Sequence, residues 1–173
     1  WLGGVLLLVC AKCFDCVFGT GLSTGSGSAF VCNTGMNVSG EGGAVWLKAR
    51  TTSSYTNHTI ADSARGVDSS GNYKVIYPNL GGAQYDPGSA ANATVTSFNT
   101  NGFTLGTNLN ANVSSQNYVS WTFRKCPGFF DIVTYTGNGS NRAIAHNLGS
   151  KPGFMMIKNL STNNTYWRTY HHS

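Results

Sequence analysis

Apolar and polar positions alternate with a period of two along much of the chain. In residues 44–50, Val45, Leu47 and Ala49 share one face of an extended segment, while Trp46, Lys48 and Arg50 share the other, the pattern of a half-buried strand. The alternation is sharper over residues 118–124, where Val119, Trp121 and Phe123 make an apolar face opposite a wet face of Tyr118, Ser120, Thr122 and Arg124. The apolar run 5–10 reads as a strand too. Further strands are expected at 29–32, 74–77, 94–98, 102–105, 129–135, 142–146, 154–158 and 166–170, divided by Asn-Gly, Gly-Asn, Pro-Gly and Ser-Gly steps. No segment keeps a 3.6-residue period over ten or more positions. Short strands parted by turns every roughly 8–15 residues predict an all-β fold, an antiparallel β-sandwich of jelly-roll-like type.

The chain also repeats itself. "CAKCFDCVFGTG" at residues 10–21 aligns with "CPGFFDIVTYTG" at 126–137, matching Phe14, Asp15, Val17, Thr20 and Gly21 to Phe130, Asp131, Val133, Thr136 and Gly137. After a short insertion in the first copy, Cys32 falls opposite Ile144 and Met36 opposite Leu148. "AVWLKAR" at 44–50 then aligns with "FMMIKNL" at 154–160, Lys48 on Lys158, and Thr59 falls on Thr169. This gives one complete unit, 10–125, part of a second, 126–173, and residues 1–9 as the end of a preceding strand or unit. Fixed-period self-similarity is the mark of repeat architectures.

Composition narrows the class further. Charged residues make up only 10% of the 173, against roughly 25% in an average soluble domain. With one Glu and two Gln, the chain lacks the outer faces of surface helices; its 4 Trp, 8 Tyr and 9 Phe exclude the low-aromatic composition of disorder. The net charge of +5 is scattered from Lys12 to Arg168, with no concentrated stripe to hold nucleic acid. The run 5–10 is far short of the ~20 apolar residues of a membrane-crossing helix, so no membrane insertion is expected.

Candidate chemistry is sparse. Cys10, Cys13 and Cys16 resemble a metal or redox string, but the repeat places Cys126, Phe129 and Ile132 at the same positions. Ligands do not interchange with Phe and Ile, so Cys13, Cys16 and Cys32 read as small buried apolar residues, and no metal or cofactor is expected. His58, His146, His171 and His172 share no ligand spacing. In "ADSARG" at 61–66, Asp62 and Arg65 are expected to pair and pin a turn, with Gly66 supplying the bend. Trp46, Trp121 and Phe123 are expected in the core. Tyr73, Tyr77 and Tyr85 stand among Asn, Gly and Pro, where they either stack on sugars or a protein partner or cover a sheet edge. "DSSGN" at 68–72 reads as a turn rather than a calcium loop, lacking the second acid and terminal Glu. A glycan-cleaving activity would need two carboxylates in one cleft, for instance Asp62 with Asp68 or Asp86; no motif announces it, and no enzyme is expected.

At "GEGGAVWLKAR", "SARG", "TSFNTNGFTLGTN", "NYVSWTFRKCPGFFDIVTYTGNGSNRAIAHNLGSKPGFMMIKN" and "WRTYHHS", the chain resembles a repeated β-domain of bacteriophage structural proteins. These are tail fibre or virion appendage proteins of marine phage type, often beside laminin-G or concanavalin-like sandwiches. The resemblance covers about residues 40–173; the Cys-rich stretch up to about Gly27 departs from it, and Cys126 replaces the usual Ala. It implies a virion protein, part of an extracellular particle assembled in the bacterial host cytoplasm, with no family catalytic residues to carry over. Its partners would be other virion proteins, further copies of itself, and a host-surface glycan or protein. A capsid decoration or cement protein is the structural alternative, and a glycan depolymerase the enzymatic one.

Overall fold

A computed structural model describes residues 3–9, 14–20, 30–50, 57–114 and 116–172, the first two segments as backbone. The chain is all-β, with antiparallel sheets packed face to face. Its strands are β1 (Gly3–Val9), β2 (Phe14–Thr20), β3 (Phe30–Asn33), β4 (Gly43–Ala49), β5 (Thr59–Asp62), β6 (Val75–Ile76), β7 (Val95–Asn99), β8 (Gly102–Leu105), β9 (Asn117–Arg124), β10 (Phe130–Thr136), β11 (Phe154–Asn159) and β12 (Arg168–His171). The helical content of the described residues is one 3-10 turn, Ala90–Asn92.

Three sheets stack in layers. The middle one has five strands in the order β2-β9-β4-β5-β6; a three-stranded sheet, β3-β8-β7, covers one face, and a four-stranded sheet, β10-β1-β11-β12, covers the other. Strand periodicity explains the layering. On β4, Val45 and Leu47 point toward the three-stranded sheet and join Val95, Phe98, Phe103 and Leu105 in one core. Ala44 and Trp46 point the opposite way, into a second core with Phe130, Ile132 and Met156. At Gly43 only a hydrogen fits, because a Cβ would collide with the Phe123 carbonyl oxygen of the neighbouring strand.

Both copies of the repeat build the same sheet. β2 and β10 occupy matching positions of the two copies, as do β4 and β11, and each sheet runs from one through a central strand to the other and on to β5 or β12. The central strand is β9 in the five-stranded sheet and β1 in the four-stranded sheet. Val119 pairs with Phe18 and Lys48 across its sheet; Val5 pairs with Thr134 and Lys158, the matching positions of the second copy. Chain order therefore crosses between layers at both places: β1 leads into β2 of the other sheet, and β9 leads into β10 of the first.

Four expectations are corrected. The face of β9 read as wet is buried, with Thr122 at 0%, Tyr118 at 6% and Ser120 at 7% exposure, because a central strand of a middle layer is covered on both faces. The Tyr118 hydroxyl satisfies itself there, accepting from the Val113 amide at 3.0 Å and donating to the Leu109 carbonyl at 3.3 Å. Residues 142–146 form no strand, and β12 begins at Arg168, leaving Tyr166 in the preceding loop. The alignment also slips by one at β12. Val45 pairs with Ala61 while Met155 pairs with Tyr170, so Tyr170, not His171, stands where Ala61 does.

Candidate binding surface

The Asp62–Arg65 pair lies at the end of β5. One carboxylate oxygen accepts the amides of Ala64 and Arg65 at 3.0 and 2.9 Å, and the other accepts Nε of Arg65. Arg65 Nη2 reaches back to the Ile60 carbonyl at 2.9 Å, and Gly66, at φ +68°, makes the left-handed bend that follows. Both side chains are sealed from solvent, so Asp62 cannot act on a substrate or pair with Asp68 or Asp86 in an open cleft.

Trp46 and Trp121 meet edge to face at 5.7 Å between β4 and β9, and Phe123 stacks on Phe130 at 5.1 Å across the layers. Trp46 Nε1 donates to His58 Nδ1 at 2.9 Å, which fixes His58 as an acceptor there. Burial, then Lys48, hold that ring below the usual histidine pKa, favouring the neutral form this bond requires.

The tyrosines separate by environment. Tyr73 packs on Phe98 at 4.4 Å and Tyr77 against the same core, and burial pushes both phenols above their usual pKa. Tyr85 is the exposed one, 6.1 Å from Tyr77. It closes a loop of the first unit that is tied to the β11–β12 loop of the second. Thr165 donates to the Gly81 carbonyl at 3.1 Å, Gln84 donates to that of Leu160 at 3.0 Å, and the Ala83 amide donates to Asn163 Oδ1 at 2.9 Å. Asn79 bridges to the Asn57 side chain at 2.8 Å and to the His58 amide at 3.0 Å. Beneath the loop, buried Lys158 donates to the carbonyl and hydroxyl of Thr165, both at 2.9 Å. The result is a cross-braced loop pair carrying exposed Leu80, Tyr85 and Tyr166, the last at 80% exposure, among asparagine side chains.

The remaining acids organise backbone. Asp68 accepts the amides of Ser70, Asn72 and Gly88, and the Asn72 amide leads the effects that hold its carboxyl below the usual range. This closes "DSSGN" as a turn whose acceptor positions face the chain itself. Asp131 lines an open depression of about 240 Å³ with Glu41, Lys125 and Asn147. Burial pushes its carboxyl up, but the amides of Asn147 and Ile132 and the Lys125 ammonium outweigh this and hold it below the usual value. Among the described residues, no three His, Cys, Asp or Glu side chains come together as a metal site. Cys32 packs on the core, where burial pushes its thiol up to about 12, and Cys126 packs on the other core. Neither is joined in a disulfide among the described residues. Cys10 and Cys13 lie outside the described residues, and Cys16 is described only as backbone.

One family model matches residues 15–173, across both copies of the repeat. The chain belongs to this family, DUF7483, a domain of unknown function. No curated protein and no solved structure matches. Of the exposed groups on this DUF7483 surface, sequence reasoning found Tyr85 and missed Leu80 and Tyr166. Tyr166 was hidden inside a strand expected from 166 onward. Its signal was the Asn-, Ser- and Thr-rich run 159–165, which is loop chemistry.

Proposed function

We propose that this chain is a phage virion structural protein, a component of a tail fibre or other appendage that contacts the host surface. The observation that carries the reading is the crossing of chain between layers. Each copy's central strand leads directly into the edge strand of the other sheet, so successive copies interlock rather than hang as beads, as a mechanically continuous projecting structure requires. The family resemblance and the low charge support it, since Lys, Glu and Asp are depleted where subunits pack together.

Host contact is assigned to the braced loop pair. Tyr85 and Tyr166 offer aromatic surface for the C–H face of a sugar, and Asn79 and Asn163 offer amides for hydroxyl groups. Antibody-directed gold labelling of purified particles tests the location. Label at the tail is the expected result; label over the capsid lattice replaces the fibre reading by a decoration role, and unlabelled particles overturn both. Adsorption tests the contact: Tyr166→Ala with Tyr85→Ala is expected to lower host binding at least tenfold while leaving the fold intact.

A further inference from the structure

The two equivalent sheets of this chain are finished differently on their outer faces. On the five-stranded sheet, Val45 and Leu47 are 0% and 2% exposed beneath the β3-β8-β7 sheet. On the four-stranded sheet the matching residues are Met155 and Ile157, and they stay half-exposed, with Val133 and Leu148 their apolar company. Leu148 stands where Met36 stands in the first copy, so the first piece of the covering layer is already in place. Its next piece is residues 142–145, the counterpart of β3. Their sequence reads as a strand, but they form none. β3 is a strand because β8 pairs with it, Phe30 to Leu105 through Asn33 to Gly102, and within its sheet β8 is its sole neighbour. The 142–145 segment has no such neighbour among the described residues.

We propose that the outer face of the four-stranded sheet is a docking face for a β-hairpin of the β7–β8 kind, supplied by a further unit of the same repeat. The hairpin's β8-type strand would pair antiparallel with residues 142–145 and convert them into a strand. Its apolar side, the equivalent of Val95, Phe98, Phe103 and Leu105, would cover Val133, Met155 and Ile157. The occupant follows from the molecule's own internal copy, in which this kind of hairpin covers the same face of the same sheet. Strand addition of this type draws its affinity from main-chain hydrogen bonds and its selectivity from the alternate side chains.

The test extends the chain by a second copy of residues 65–125 after Ser173, the position opposite Ala64 in the strand register that sets His171 opposite Asp62. Hydrogen exchange at Ala143, Ile144 and Ala145 is expected to slow by about 100-fold relative to the 173-residue chain. Unchanged exchange at these amides, with the appended residues themselves protected, overturns the proposal. Should the appended segment stay unfolded, a synthetic peptide of residues 93–106 titrated onto the 173-residue chain decides. Saturable binding that Ile157→Lys abolishes is expected. No saturable binding, or binding indifferent to Ile157→Lys, overturns the proposal. Self-association of the 173-residue chain that Ile157→Lys removes, without peptide binding, also overturns it and assigns the face to a second copy.

Discussion

The five-stranded and four-stranded sheets come from two copies of one sequence pattern, yet they sit in different physical situations. The first is covered on both faces, and even its polar residues are buried: Thr59 and Thr122 carry hydroxyls with no partner among the described residues. The second is covered on one face, and its edge strand β12 is exposed at all four positions, where the equivalent β5 is buried at all four and continues into β6. Burial here is thus a property of the layer stack rather than of the strand sequence. Val45 and Met155 occupy matching positions, and only what lies above them differs.

The sharpest way to break that comparison is at the buried ion pair, which the second sheet lacks, having His171 where Asp62 stands. Asp62→Ala strands the Arg65 guanidinium in the interior and is expected to cost about 3–5 kcal/mol in chemical denaturation. Asp62→Ala combined with Arg65→Met should recover much of the loss. A matched pair comes next. Leu47→Ala is expected to cost about 2–5 kcal/mol, and its counterpart Ile157→Ala no more than about 1 kcal/mol, because a half-exposed side chain leaves no closed cavity; equal costs would contradict the layered account. Thr122→Val addresses the face expected to be wet. It should stabilise by about 1 kcal/mol, since a buried unpaired hydroxyl costs roughly 1–3 kcal/mol, whereas a solvent-facing position would respond with no gain.

The smallest effect concerns His58. Its folded pKa lies below 6.5, so the unfolded chain takes up the proton first as pH falls. The stability tied to the neutral ring is complete above pH 6.5 and declines as pH drops through 6.5 toward the folded value. The loss should stay below about 1 kcal/mol, because the ring is partly open to solvent, which screens it. Trp46 fluorescence is expected to change over the same range, and His58→Gln should flatten both profiles.

Much of the fold was legible because strands announce themselves locally. The alternation at residues 44–50 marked β4 and its two faces, and the repeat matched β2 to β10 and β4 to β11. The Asp62, Arg65 and Gly66 turn was legible for the same reason, being closed by residues three and four positions apart. The braced loop pair was not, because Gly81 and Thr165 are brought together only by packing of the two units. Nor was the fate of residues 142–146, whose strand pattern calls for a partner that the pattern cannot supply.

By itself the sequence determined that this chain is all-β, that it is built on a duplicated strand pattern, and where its tight turns fall, since period-two patterning and turn chemistry act over a few neighbouring residues. Only the tertiary structure decided which faces are dry. It placed β1 as the central strand of the second copy's sheet and buried the polar side of β9. It left Met155 and Ile157 half open while closing over Val45 and Leu47. Those outcomes depend on which sheets stack, and stacking is settled by apolar surfaces distant in sequence, so a single strand carries no record of what lies across its face.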